Sequence, residues 1–169
     1  AGRMSAAGTC TGRSLAAVAM AALLGSAACG STGDRAVTAS DPAVGANPAD
    51  SVALYVDLDN NGSADALTSA SCDCAAQSSL HLTEDRDGVL LMVGTEAIEL
   101  PAGERTTLVP GGPHVMLEGL DAPLTAGSTI EVTLGFEHSD DIVLEVPVVA
   151  LEDLAERVGP AEPVEGGGG

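Results

Sequence analysis

The sequence predicts an all-β protein, an antiparallel β-sandwich, and three observations carry that prediction. Short runs of alternating apolar and polar residues follow one another from Ser51 to Val149, the period of strands that bury one face and wet the other. Gly, Pro, Asn or Asp separates each run from the next, and these residues favour turns over continued strand. Helical periodicity is almost absent between those limits. The core must be aliphatic, because Tyr55 and Phe136 are the only aromatic residues in the chain. So few rings leave no platform for stacking sugars or bases.

Taken in order, Val52 to Leu58 alternates strictly and Asp59-Asn60-Asn61-Gly62 ends it. Ala64 to Ala70 predicts a second strand. Ser79 to Thr83 and Val89 to Val93 flank the turn-prone Asp85-Arg86-Asp87-Gly88, which reads as a hairpin. Ala97 to Leu100, Thr106 to Val109, His114 to Leu117, Ile130 to Phe136 and Ile142 to Val149 continue the series. Pro101, Pro110, Gly111-Gly112-Pro113 and Pro123 punctuate it. Leu151, Leu154 and Val158 share one helical face, so a short helix is expected before Gly159-Pro160 stops it.

The ends read differently. Arg3 and Arg13 supply positive charge around Met4, Leu15 to Leu24 is apolar, and Ser26-Ala27-Ala28 offers small residues for cleavage. Ten apolar residues span only ~15 Å as a helix, about half a bilayer core, so this stretch is an export signal rather than a membrane span. Ser26-Ala27-Ala28-Cys29 resembles a bacterial lipobox, in which Cys29 is lipidated; cleavage beside an incidental cysteine is the alternative. The expected organisation is an export signal over 1–29, a flexible linker over 30–50, the β-sandwich over 51–150, and a short helix with a disordered acidic, glycine-ended tail over 151–169. The linker is inferred from its Gly, Ser, Thr, Ala, Asp and Pro content without an apolar face.

Charge excludes some partners. The chain has 25 Asp and Glu against six arginines and no lysine, a formal net charge of −19, and every acidic residue lies after residue 30. Such a surface repels nucleic acid and anionic lipid. It suits a soluble exported domain, or a docking face for a basic partner.

Beyond the export signal, Met92 and Met116 are the only methionines, and two of the three histidines stand beside them as His81–x10–Met92–x21–His114–x–Met116. Imidazole nitrogen with thioether sulfur suits Cu(I), whereas Mg, Ca and Mn prefer oxygen and structural zinc prefers thiolate and imidazole. With Asp85 to Gly88 as a four-residue loop, Glu84 pairs with Val89 and His81 faces Met92 directly. Leu80, Leu82, Leu91 and Val93 then share the core face. Period two places His114 and Met116 on one face of a later strand, with Val115 and Leu117 in the core. Convergence of the two faces would complete an N2S2 site. Taken singly, each residue also fits a solvated histidine or a packing methionine. His138, beside Ser139-Asp140-Asp141, is expected in a solvated turn.

The spacing is that of the H-x10-M-x21-H-x-M motif, and the chain resembles the PCu(A)C family of periplasmic copper chaperones. Ile98-Glu99-Leu100-Pro101-Ala102-Gly103, Leu108 through Leu117 and Thr133-Leu134-Gly135-Phe136 are similar to that family's strands and turns. The likeness runs from about Val52 to Val149. It implies a cupredoxin-like or Ig-like sandwich that binds Cu(I) near its surface through His81, Met92, His114 and Met116. It further implies delivery to the dinuclear CuA centre of cytochrome c oxidase, alongside Sco-type proteins, by a monomeric carrier in the cell envelope or periplasm. A lipidated Cys29 would anchor it to the outer face of the cytoplasmic membrane.

Cys72-Asp73-Cys74 stands where relatives commonly have a Ser-Pro-type stretch. In an exported protein these thiols are expected to close a short disulfide; an accessory role at the metal or a redox role are the alternatives. No general base or nucleophile is called for, so the chain is read as a carrier and not an enzyme. Two rival functions remain: a thiol–disulfide redox protein using Cys72 and Cys74, and a metal-free structural or adhesion sandwich.

Overall fold

Residues 36–159, Pro48 excepted, are described by the structure, a computed structural model. The expected export signal, Cys29 and the glycine-ended tail lie outside these residues. Among the described residues ten strands and one helix follow in chain order: β1 Val37–Gly45, β2 Ser51–Asn60, β3 Asp65–Ser71, β4 Ala75–Arg86, β5 Val89–Thr95, β6 Ile98–Leu100, β7 Arg105–Leu108, β8 His114–Leu120, β9 Thr129–Phe136, β10 Ile142–Val149 and α1 Leu151–Val158. From β2 onward each expected strand is present.

The strands hydrogen-bond in the order β5-β4-β8-β2-β1-β10-β9-β3-β6, and β7 adds to β2 beyond the end of β8. Alternation decides what each strand buries. Along β2, Val52, Leu54, Val56 and Leu58 point inward; along β10, Ile142, Leu144, Val146 and Val148 do the same. Both halves of the sheet turn these faces onto one shared aliphatic core that also takes Leu117, Leu134 and Phe136. Each fully buried leucine contributes about 1.5–3 kcal/mol relative to exposure.

Segment 30–50, expected to be a linker, contains β1. Val37, Ala43 and Val44 are buried, and β1 pairs antiparallel with β2 and parallel with β10 through Val44↔Val148 and Gly45↔Val149. The strand is hidden in sequence because its register jumps between Ser40 and Ala43, where Asp41 has φ 49° and Pro42 follows. A bulge of this kind adds a residue to one strand and destroys the period of two. At the other end, α1 leans Leu151 and Leu154 on β1 at Gly45, where a Cβ would lie 2.7 Å from Leu151 Cδ2.

The β4–β5 hairpin differs from expectation in register. Arg86 pairs with Val89, so the loop is Asp87-Gly88 alone, with φ of 57° and 80°. Two consecutive left-handed residues define the type I′ turn, whose twist matches that of the strands and which favours Asp-Gly. Asp85 Oδ1 accepts the Gly88 amide at 2.8 Å and braces it. The hairpin also outruns the core: Leu91, expected inside, is exposed with Val89, Leu90 and Met92.

Candidate metal centre

The two-residue loop shifts β5 by two places along β4. His81 therefore faces Gly94, and Met92 faces Thr83. The direct His81–Met92 pairing expected from a four-residue loop is not formed. A shift of two leaves every side chain on its own face, so Met92 remains a diagonal neighbour of His81. Diagonal Cα atoms lie ~7–8 Å apart, within reach of an unbranched thioether chain.

The direct partner of His81 is His114. Strand β8 lies antiparallel against the other edge of β4, pairing His81 with His114 and Ser79 with Met116. The expected convergence of two separate ribbons is replaced by adjacency within one sheet. Leu80 and Val115 turn into the core from these strands, so His81, His114, Met116 and Met92 share the opposite face. The imidazoles are stacked, with centroids 5.5 Å apart and planes inclined by 14°.

Hydrogen bonds leave one nitrogen of each ring unused. His114 is 3% exposed, and its Nδ1 lies 3.0 Å from the Gly112 carbonyl. That carbonyl also accepts from Thr83 Oγ1 at 3.1 Å. The Pro110-Gly111-Gly112-Pro113 turn presents it, closed by Gly112 N–H to Val109 O at 3.0 Å and with Gly111 at φ 82°. His81 Nε2 lies 2.9 Å from Ser79 Oγ. Among the described residues, His81 Nδ1 and His114 Nε2 are the buried side-chain polar atoms without a partner. Buried polar atoms are rarely left so, and a cation would satisfy both.

The methionines lie on either side of the histidine pair along the strands. Met116 is half-buried and lies across from Ala53 and Ser79. Met92 is 61% exposed on the edge strand β5. A cleft of about 850 Å³ opens beside His81, Gly94, Glu96, Thr68 and Glu118. Among the described residues no three His, Cys, Asp or Glu side chains cluster to hold a metal. The further soft donors beside the two histidines are the thioethers of Met92 and Met116.

Cys72 and Cys74 are joined by a disulfide in the turn between β3 and β4. His81 lies seven residues beyond Cys74 along β4, about 23 Å at ~3.3 Å per residue, so an accessory role for the sulfurs at the histidine pair does not fit. His138 lies on an exposed turn, as expected. Ser79, Glu118 and the Gly112 carbonyl escaped sequence reasoning. Parity alone hints at two of them, Ser79 with His81 and Glu118 with His114 and Met116.

The sheet order and shared core define an all-β domain whose fold is similar to that of PCuAC, cupredoxin-like domains. Its fold is similar to "Copper-bound PCuAC domain from PmoF2", with a TM-score of 0.59 and 24% identity over 68% of this chain and 93% of that one. It is likewise similar to the solution structure of CuI-DR1885 from Deinococcus radiodurans, with a TM-score of 0.51 and 26% identity over 69% of this chain and 78% of that one. The chain belongs to the LpqE-like family, described as "Putative lipoprotein LpqE-like", whose model matches residues 37–148. It is 40% identical over 98 residues to "Putative lipoprotein Lxx21020" of Leifsonia xyli subsp. xyli, covering 57% of this chain and 59% of that relative. The match thus spans less than two thirds of that relative's length.

Proposed function

We propose that this protein is an extracytoplasmic Cu(I) carrier, with His81, Met92, His114 and Met116 as an N2S2 ligand set. One observation carries the proposal: the buried, unpartnered Nδ1 of His81 and Nε2 of His114 belong to stacked rings on neighbouring strands, with a thioether on either side. Its structural neighbours, a copper-bound PCuAC domain and CuI-DR1885 in solution, support copper as the cargo. The lipoprotein descriptions of its family and relative support export and attachment to a membrane.

Ligand chemistry explains how such a site loads and unloads. Four neutral donors leave the cation's positive charge on the ligand set itself. Exposure is graded: His114 is inside, Met116 is half-covered and Met92 is outside. An incoming donor would displace Met92 first and the histidines last. Thioethers bind more weakly than thiolates, so an acceptor with cysteine ligands can draw the ion away stepwise. No proton transfer or covalent step is required of the chain, and it acts as a monomer. The acceptor in this proposal is the CuA-bearing subunit of cytochrome c oxidase or a Sco-type protein.

The test is an anaerobic Cu(I) titration against a competing chelator. His114→Ala should weaken binding by more than the ~10–100-fold that loss of an outer-shell partner costs. Met92→Leu should weaken it while leaving stability within about 0.5 kcal/mol, as for other exposed positions. Unchanged affinity in His114→Ala would end the copper proposal.

A further inference from the structure

Behind His81 runs a polar chain that ligand geometry alone does not require. Gln77 Nε2 and Ser79 Oγ both reach Glu118 Oε2, at 3.1 and 3.2 Å, and Ser79 Oγ also lies 2.9 Å from His81 Nε2. An ionised carboxylate only accepts hydrogen bonds, and a serine hydroxyl has one hydrogen to give. That hydrogen goes to Glu118, so the Ser79 oxygen is left to accept. The neutral His81 ring must then carry its hydrogen on Nε2, which places its free lone pair on Nδ1, the buried nitrogen with no partner.

His114 is set the opposite way. Its Nδ1–H donates to the Gly112 carbonyl, leaving the lone pair on Nε2. One ring is oriented by backbone, which no side-chain replacement removes. The other depends on two side chains, and that makes it open to experiment.

We infer that Glu118, acting through Ser79, is a positioning residue that holds His81 as its Nε2–H tautomer and so turns Nδ1 into the metal-facing donor. The tautomer assignment concerns the metal-free protein; its consequence for affinity rests on the copper proposal above. A metal-ligating histidine generally donates its second ring N–H to a carboxylate, carbonyl or water, which fixes the tautomer and raises ligand basicity. Here the carboxylate is reached through a hydroxyl. Both residues lie on the sheet face opposite the core, so they can be changed without opening a cavity.

Two readouts separate the steps. Long-range proton–nitrogen correlation spectra of the metal-free protein, recorded where imidazole is neutral, should show His81 protonated at Nε2 and His114 at Nδ1. In Ser79→Ala and Glu118→Gln, His81 should become a mixture of tautomers while His114 keeps its pattern. Ser79→Thr, which retains the hydroxyl, should behave as the parent. Cu(I) affinity, titrated with the metal alone against a chelator, should fall ~10–100-fold in the first two variants and not in Ser79→Thr. A parent His81 protonated at Nδ1, or a Ser79→Ala spectrum identical to the parent's, would overturn the relay. A changed tautomer with unchanged affinity would overturn its role in ligation. A parent protein that binds no Cu(I) would overturn the copper proposal and that role, with the tautomer result standing apart.

Discussion

At Asp65 one buried carboxylate holds a loop to the sheet. It is 6% exposed; Oδ1 accepts the amides of Ala66 at 2.8 Å and His138 at 3.0 Å, and Oδ2 accepts that of Ser139 at 3.0 Å. Burial pushes its pKa up, but the Ser139 hydroxyl and the three amides outweigh that and hold it below the ordinary value of 3.8. A carboxylate with a depressed folded-state pKa stabilises fully above its unfolded pKa, and that stability is lost as pH falls through the folded one. Asp65→Asn should therefore cost about 1–3 kcal/mol near neutral pH. The gap between parent and variant should close below about pH 4. Urea unfolding of both proteins across that range checks it; a gap that persists unchanged in strong acid would mean the carboxylate's charge is not what anchors the loop. The anchoring of the loop was not legible in the sequence, since the loop amides it holds are 73 and 74 residues away. The four ligand candidates were legible because nitrogen and sulfur donors at short, definite spacings stand out in an aliphatic chain. Glu118 and Ser79 were not, because one acidic residue among 25 and one serine carry no such contrast.

At the scale of elements, strand identity came through and register did not. Apolar alternation along β4 and β5 fits a two-residue and a four-residue loop equally well, because both keep Leu80, Leu82, Leu91 and Val93 on one face. The choice falls to the turn. Gly88 has φ 80° and nothing within 4 Å of where a Cβ would sit, so replacing it tests backbone conformation alone. Gly88→Val should destabilise by about 1–2 kcal/mol, the cost of a left-handed conformation for an L-residue with a Cβ. Gly88→Asn should cost less, since asparagine tolerates that region. Chemical denaturation of the pair separates them, and equal losses would mean that tolerance of the left-handed region is not what Gly88 supplies. The same limit of pattern hid β1. Asp41 and Pro42 read as linker residues, and in the fold they are the bulge that lets one strand run past two neighbours.

Across the whole molecule, the hydrogen-bonded order makes β1 the element that joins the sheet's halves. On one side lie β2, β8, β4 and β5, which carry the candidate ligands; on the other lie β10, β9, β3 and β6. The ligand face therefore depends on a strand that contributes no donor to it. Without β1, both β2 and β10 present raw edges, and the burial of Val37, Ala43 and Val44 disappears. Two buried valines alone stabilise by about 3–6 kcal/mol, comparable with the ~5–15 kcal/mol that holds a whole domain together. Self-repulsion among the acidic residues leaves still less margin. A fragment spanning residues 36–159 should unfold in one cooperative transition near that of the full chain, whereas one spanning 51–159 should show no cooperative transition and no tight Cu(I) binding. Circular dichroism melts and the chelator titration on the two fragments measure both properties. If 51–159 melts cooperatively and keeps its affinity, β1 is a cover laid over two halves that already hold each other through the core.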